Sequence, residues 1–366
     1  MSRKQKNKKG NNVGLKILLT ILIILVIGTS ALLVIKILNS QNTEIPVSET
    51  EQPVIEEKEV QIYKGTDRPI AVMIDNHEDA WPQANLNKAY IVYEIIVEGG
   101  ETRLMAVFKG QDLEKIGPIR SSRHYFLDYA MENDALYVHY GWSPQAQSDI
   151  SSYKVNNING LVQSEKDFWR AKDKYAPHNA VSNTKNILKI AEANKYRLTS
   201  NADSILNYVT DEVNLENGEY AQKVTIPFST LQTVSYEYDE ENKVYKRYAR
   251  KELQTDWDSG EAITAKNIII TFAENYTLSD SENKGRQGLK NIGLKDGYYI
   301  TNGKAIKITC EKTSRTEETI YRNLEGETID VNDGNTFIEI CPLDAKVVIE
   351  GQPETTAITD TNTIVE

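Results

Sequence analysis

Pro69 to Asp75 read PIAVMID and, a short interval later, Tyr90 to Val97 read YIVYEIIV. Both runs are too continuously apolar to alternate between a wet and a dry face, so strands buried on both sides are expected. Arg103 to Lys109 (RLMAVFK) and Ala135 to Tyr140 (ALYVHY) repeat the pattern. Ser121 to Asn133 and Asn183 to Arg197 read as helices, the second with Ile187, Leu188, Ile190 and Ala191 on one face. Residues 63–200 are therefore expected to form a mixed α/β domain.

Past residue 220 the texture changes to short strands such as VSYEYD, VYKRYAR, NIIITFAEN, AIKITCEK and TFIEICP, separated by Gly, Asn and Asp turns. Residues 201–350 are expected to be a mainly β second domain, which makes the whole chain α+β.

Ahead of these lies a different kind of segment. Residues 1–16 carry six basic side chains and no acid, and Ile17 to Ile35 then runs without a charge. Nineteen residues of helix rise about 28 Å, the thickness of a bilayer core, so 17–36 is expected as a transmembrane helix. The basic flank places residues 1–16 in the cytoplasm and the remainder outside, a single-pass cell-membrane topology. A cleaved secretory signal is the competing reading, although the apolar run continues past the small residues Thr29-Ser30-Ala31. Residues 37–62, rich in Glu, read as an acidic linker, and 351–366 as a flexible polar tail. The formal net charge of -11 over 366 residues argues against a nucleic-acid partner, whose binding depends on neutralising phosphates.

Polar residues at the ends of apolar runs are the candidates for chemistry. Asp75, Asn76 and His77 close the first strand, where an α/β sheet presents ligand-binding groups, though Asp and Asn are also ordinary turn formers. Glu94 interrupts the second run, where an unpaired carboxylate would hold its proton. By the strand period of two, Glu94 and Glu98 are expected on one face, and unequal burial could divide acid and base roles between them. Glu98, Glu94 and Asp75 are thus candidate catalytic residues, with Gly99 and Gly100 allowing a sugar to approach the backbone. The plainer alternative pairs Glu94 or Glu98 with Arg103 in an internal ion pair.

Arg120, Ser121 and Arg123 stand where a helix is expected to begin, with Ser121 as N-cap and the arginines either as an anion site or as partners for the acids Asp75, Glu94 and Glu98. His139, Trp142 and Ser143 follow another strand; Ser143-Pro144 reads as N-cap with Pro at the first helical position, and Trp142 suits a sugar face. Thr102, Arg103, His178 and Asn179 complete the binding candidates. No metal site and no cofactor are expected, because the four His lack ligand spacing and neither a phosphate loop nor a dinucleotide fingerprint is present.

The ordered set RPIAVMIDNH (68–77), Pro82-Gln83, Val92-Tyr93-Glu94, VEGG (97–100) before Thr102-Arg103, KIGPIRS (115–121), His139 with Gly141, Ser143-Pro144 and APHN (176–179) resembles the YerB-like lipoprotein family of Gram-positive bacteria. Tyr238-Asp239, Tyr245 with Arg247, Tyr299 to Lys304, and Gly334 with Thr336 extend the resemblance to about residue 350. It implies a two-part extracytoplasmic domain held at the membrane, and implies no reaction. The chain departs from the family in lacking a lipid-bearing signal Cys and in placing Cys310 where Trp is usual. Cys310 and Cys341 either close a loop or stand as two buried thiols.

Three functional classes follow. A membrane-tethered protein of the cell envelope that binds a glycan, peptide or protein partner through a first-domain cleft is the leading one. A peptidoglycan-cleaving enzyme, glycosidase or lytic transglycosylase in type, needs a carboxylate at the floor of an open cleft. A non-catalytic scaffold requires every candidate acid to sit in a closed ion pair. Oligomeric state is not legible.

Overall fold

The computed structural model describes residues 13–41, 58–279 and 282–351. They fall into two units, one within residues 1–57 and the other within 58–366. The first is a helix, α1 (Val13–Gln41), whose stretch Thr20–Leu38 has a mean hydropathy of 2.8 and whose described side chains are exposed. By length and composition it can cross a membrane. The basic residues 1–12, the stretch 42–57 and the tail from 352 lie outside the described residues. The part of the expected linker that is described does not behave as one: Gln61 and Ile62 donate backbone N–H bonds to Asp333, and Val60 and Ile62 pack on the core.

The second unit is mostly β. Its main sheet contains β1 (Ile70–Asp75), β2 (Ile91–Ile96), β3 (Thr102–Phe108), β4 (Leu136–His139) and β5 (Asn157–Asn159). A smaller sheet is centred on β6 (Lys223–Pro227), β7 (Thr233–Asp239) and β8 (Val244–Ala249). The main sheet also contains β9 (Asn267–Thr277), β10 (Gln287–Lys290), β11 (Gly293–Thr301), β12 (Lys304–Lys312), β13 (Ile320–Asn323) and β14 (Thr336–Pro342), with the short strand Glu219–Tyr220 on β12. Its order is β13-β12-β11-β9-β14-β2-β3-β1-β4-β5, with β10 on β9.

The apolar runs are buried on both faces for a visible reason. Val72, Ile74, Val92, Leu104 and Ala106 face one core, closed by Tyr236 and Tyr245 of the small sheet and by α4 (Thr184–Ala193). Ala71, Met73, Tyr93, Met105 and Val107 face a second core, closed by α2 (Phe126–Glu132) and by Ile150 of α3 (Pro144–Ser152). Alternate residues serve different layers, so no polar face is left to show in the sequence.

The first half mixes its strands with the short helices α2, α3 and α4. The change of texture near residue 200 does not separate sheets, because β14 pairs in parallel with both β2 and β9. Strands from both halves thus build one sheet. Cys310 and Cys341 are both buried free thiols, and burial pushes the Cys310 thiol up to about 12.

Candidate functional site

The parallel strands β1 and β4 end side by side, and a cleft of about 530 Å³ opens beyond their ends. Asp75 is the last residue of β1 and stands opposite Arg103, the second residue of β3. Residues 119–122 continue as an extended arm: Arg120 N–H donates to the Met73 carbonyl, and Ser122 forms a bridge with Trp142. This pairing keeps the expected helix from starting at Ser121. It starts at Phe126, and Ser121 is a cleft residue whose carbonyl accepts from Arg103 Nη1 at 2.5 Å. Ser143 is an N-cap as read, its hydroxyl accepting from Ala146 N–H at 3.2 Å with Pro144 next in line.

The cleft brings together Asp75, His77, Glu98, Thr102, Arg103, Arg120, Ser121, Arg123, Trp142, Ser143 and His178, residues far apart in the chain. Its acids are paired. Asp75 Oδ2 lies 2.8 Å from His178 Nδ1 and 3.2 Å from Arg120 Nε. Burial raises its carboxyl, but the His178 hydrogen bond and the charges of Arg120 and Arg103 outweigh that and hold it below the usual range. Glu98 accepts from Arg123 Nε at 2.6 Å; burial opposes this pair, yet Arg123 still holds the Glu98 carboxyl low. Both shifts favour the ionised form, whereas the glycosidase reading calls for a carboxyl that holds its proton.

Glu94 is elsewhere. It is wholly buried between the two sheets, where Arg247 Nη2 donates to Oε2 at 2.5 Å, and Thr102 Oγ1 (2.5 Å) and Asn76 Nδ2 (3.1 Å) donate to Oε1. Arg247, from β8, replaces the expected partner Arg103. The pairing of Glu94 with Glu98 also fails, since β2 ends at Ile96 and Glu98 belongs to the turn into β3. In that turn Gly99 and Gly100 have φ of 73° and 78°, and a Cβ on Gly100 would meet Ser229 Oγ at 3.2 Å. Turn geometry accounts for these glycines, and neither lines the cleft.

Three further candidates lie behind the wall. Asn76 is held by Glu94, Thr102, Trp81 and Gln83. His139 is fully buried against the Gly141 carbonyl (2.8 Å) and Asn157 Oδ1 (3.1 Å), and burial lowers its pKa. Asn179 orders its own loop through Arg170 and the carbonyls of Ala171 and Lys174.

The sequence reading missed Glu101, Lys284 and Arg286, which also line the cleft. Only the polar stretch near 280–290 could have signalled the last two. Five basic side chains therefore face three acids. Arg120 and Arg123 have Asp75 and Glu98, and Lys284 and Arg286 have Glu282. Arg103, only 6% exposed, has the Ser121 carbonyl and no ion-pair partner among the described residues. Burial first, then the neighbouring charge of Arg123, pulls its guanidinium down to about 9. A buried cation beside two others at the wall of a cleft has the chemistry to hold an anion.

Residues 56–197 match the family described as "Protein of unknown function (DUF3048) N-terminal domain", and residues 224–338 match its C-terminal domain. A Bacillus subtilis (strain 168) protein named "Putative lipoprotein YerB" is 32% identical over 295 residues, covering 78% of this chain and 85% of that one. The crystal structure of YerB protein from Bacillus subtilis superposes with a TM-score of 0.70 at 30% identity, over 80% of this chain and 97% of that one. The chain belongs to this YerB-like family of unknown function.

Proposed function

We propose that the protein is a membrane-anchored extracytoplasmic binding protein whose cleft holds the carboxylate or phosphate of a cell-envelope ligand. The observation that carries this reading is Arg103, a buried guanidinium with no ion-pair partner among the described residues, lining the same cleft as Arg120 and Arg123. The candidate acids are closed in ion pairs, as a scaffold would have them, but the surplus of cations in an open cleft is not explained by a scaffold. Trp142, 36% exposed at the rim, offers a flat apolar surface to a sugar or peptide attached to the anion. The anchor is α1, with residues 1–16 cytoplasmic and the domain outside; the apolar helix, its basic flank and the lipoprotein name of the relative support this.

The test is calorimetric titration of the full chain in detergent with inorganic phosphate, a muropeptide with a free carboxylate, a glycerol-phosphate oligomer and a neutral glycan. An anionic probe should bind and weaken with salt, and Arg103→Met should cost at least about tenfold in affinity, the scale of one charge-assisted bond. Equal binding of the neutral glycan, no binding of any anion, or an unchanged Arg103→Met affinity would each remove the proposal.

A further inference from the structure

At the edge of the cleft, His77 and His178 of its lining meet the exposed Asp79 in a second cluster that the anion reading does not use. A ring nitrogen of His77, a ring nitrogen of His178 and a carboxylate oxygen of Asp79 all lie within 4.8 Å of one another. The two rings stack with centroids 4.5 Å apart and planes 23° off parallel. His77 Nδ1 accepts from the Asp79 N–H at 3.2 Å and lies 3.5 Å from Asp79 Oδ2. That contact caps the short turn after β1 and accounts for His77. It does not account for His178, which arrives from the 175–178 loop.

His178 has a further property of a ligand. Its Nδ1 faces Asp75 Oδ2 at 2.8 Å, and Asp75 is 4% exposed and itself held by Arg120. A carboxylate behind one imidazole nitrogen fixes the ring and makes the other nitrogen a better donor, the arrangement that usually backs a metal-bound His. Asp79, exposed and 3.5 Å from His77 Nδ1, supplies a carboxylate charge to the ion, while Asp75, already paired with Arg120, acts only through the ring it orients. Two imidazoles and one carboxylate suit a borderline ion such as zinc, whereas calcium and magnesium prefer oxygen-rich shells.

We propose that His77, Asp79 and His178 form a site for one divalent transition ion of the zinc type, its remaining coordination positions open to the cleft. The site stands on these three residues and does not depend on the anion reading. Sequence spacing hid it, because only His77 and Asp79 are neighbours in the chain.

The full chain, tag-free in detergent and stripped with a chelator, is titrated with zinc ion alone and with cobalt(II) alone. One ion per chain is expected, and the cobalt form should show the visible absorption of a low-coordinate nitrogen and oxygen site. His178→Ala and the exposed Asp79→Asn should each weaken binding at least about tenfold. Thermal melting checks that both variants are folded, and Asp79→Asn, being on the surface, decides the matter if His178→Ala is not. No stoichiometric binding, or an Asp79→Asn variant that binds like the wild type, overturns the proposal. Phosphate titrated in the presence of chelator separates the two readings: binding there without any metal uptake removes the metal site alone, and metal uptake without anion binding removes the anion site alone.

Discussion

Glu94 and Glu339 are neighbours in register on β2 and β14, both fully buried, with one arginine between them and the small sheet. Arg247 pairs with Glu94, and the Tyr236 hydroxyl donates to Glu339 Oε1. Burial first, then the adjacent Glu94, pushes the Glu339 carboxyl well above its ordinary value, so it stays protonated. The two residues are chemically alike and should respond differently to the same change. Glu94→Gln leaves the Arg247 charge buried without its partner and should cost about 3 to 5 kcal/mol. Glu339→Gln replaces a neutral acid by a neutral amide of the same volume and should stay within about 1.5 kcal/mol. Urea denaturation of the two variants measures the difference, and equal losses would mean that the proton is not on Glu339. None of this was legible from Glu94 and its neighbours, which show only that the carboxylate needs a partner. The partner lies 153 residues away, on another sheet.

At the level of elements, composition announced the strands and local chemistry fixed the helix starts only where nothing competed. Asn183 caps α4, its Oδ1 accepting from Asn186 N–H at 2.8 Å, and the apolar face of Ile187, Ile190 and Ala191 seals one core. Asn183→Ala should therefore lower stability by about 1 kcal/mol, read as a shift in the urea midpoint without a change in slope. A shift in slope would point to a wider loosening of that face. Ser121 offered the same local signal and failed as a cap, because the backbone around it is already bonded to Met73 and Gly141. The cleft residues were legible for a related reason: Asp75, Arg103 and Trp142 each lie at or near the end of an apolar run, and runs that end together in a sheet deliver their flanks to one edge. Lys284 and Arg286 sit between β9 and β10, and nothing in their own stretch marks that edge.

On the scale of the molecule, the two halves are separable in sequence and joined in space. Strand β14 lies between β2 and β9, with Phe337, Ile338, Ile340 and Cys341 all buried. A fragment of residues 58–200 would lose that neighbour on β2 and the small sheet over Val92 and Leu104. It should give a poorly dispersed NMR spectrum and no cooperative melt, whereas 58–351 should melt in a single transition. A cooperative transition in the short fragment would show that the first half is a domain in its own right.

The central place of β14 also sets a schedule. Ile91 cannot meet Thr336 until nearly the whole chain has been made, so the sheet has a long average separation between contacting residues and is expected to close slowly. Until then the free edge of β2 is a row of unpaired backbone groups that a strand from another molecule can occupy. A chain made from one end to the other thus keeps that edge open through most of its synthesis, and its vulnerability to misassembly falls only when β14 arrives.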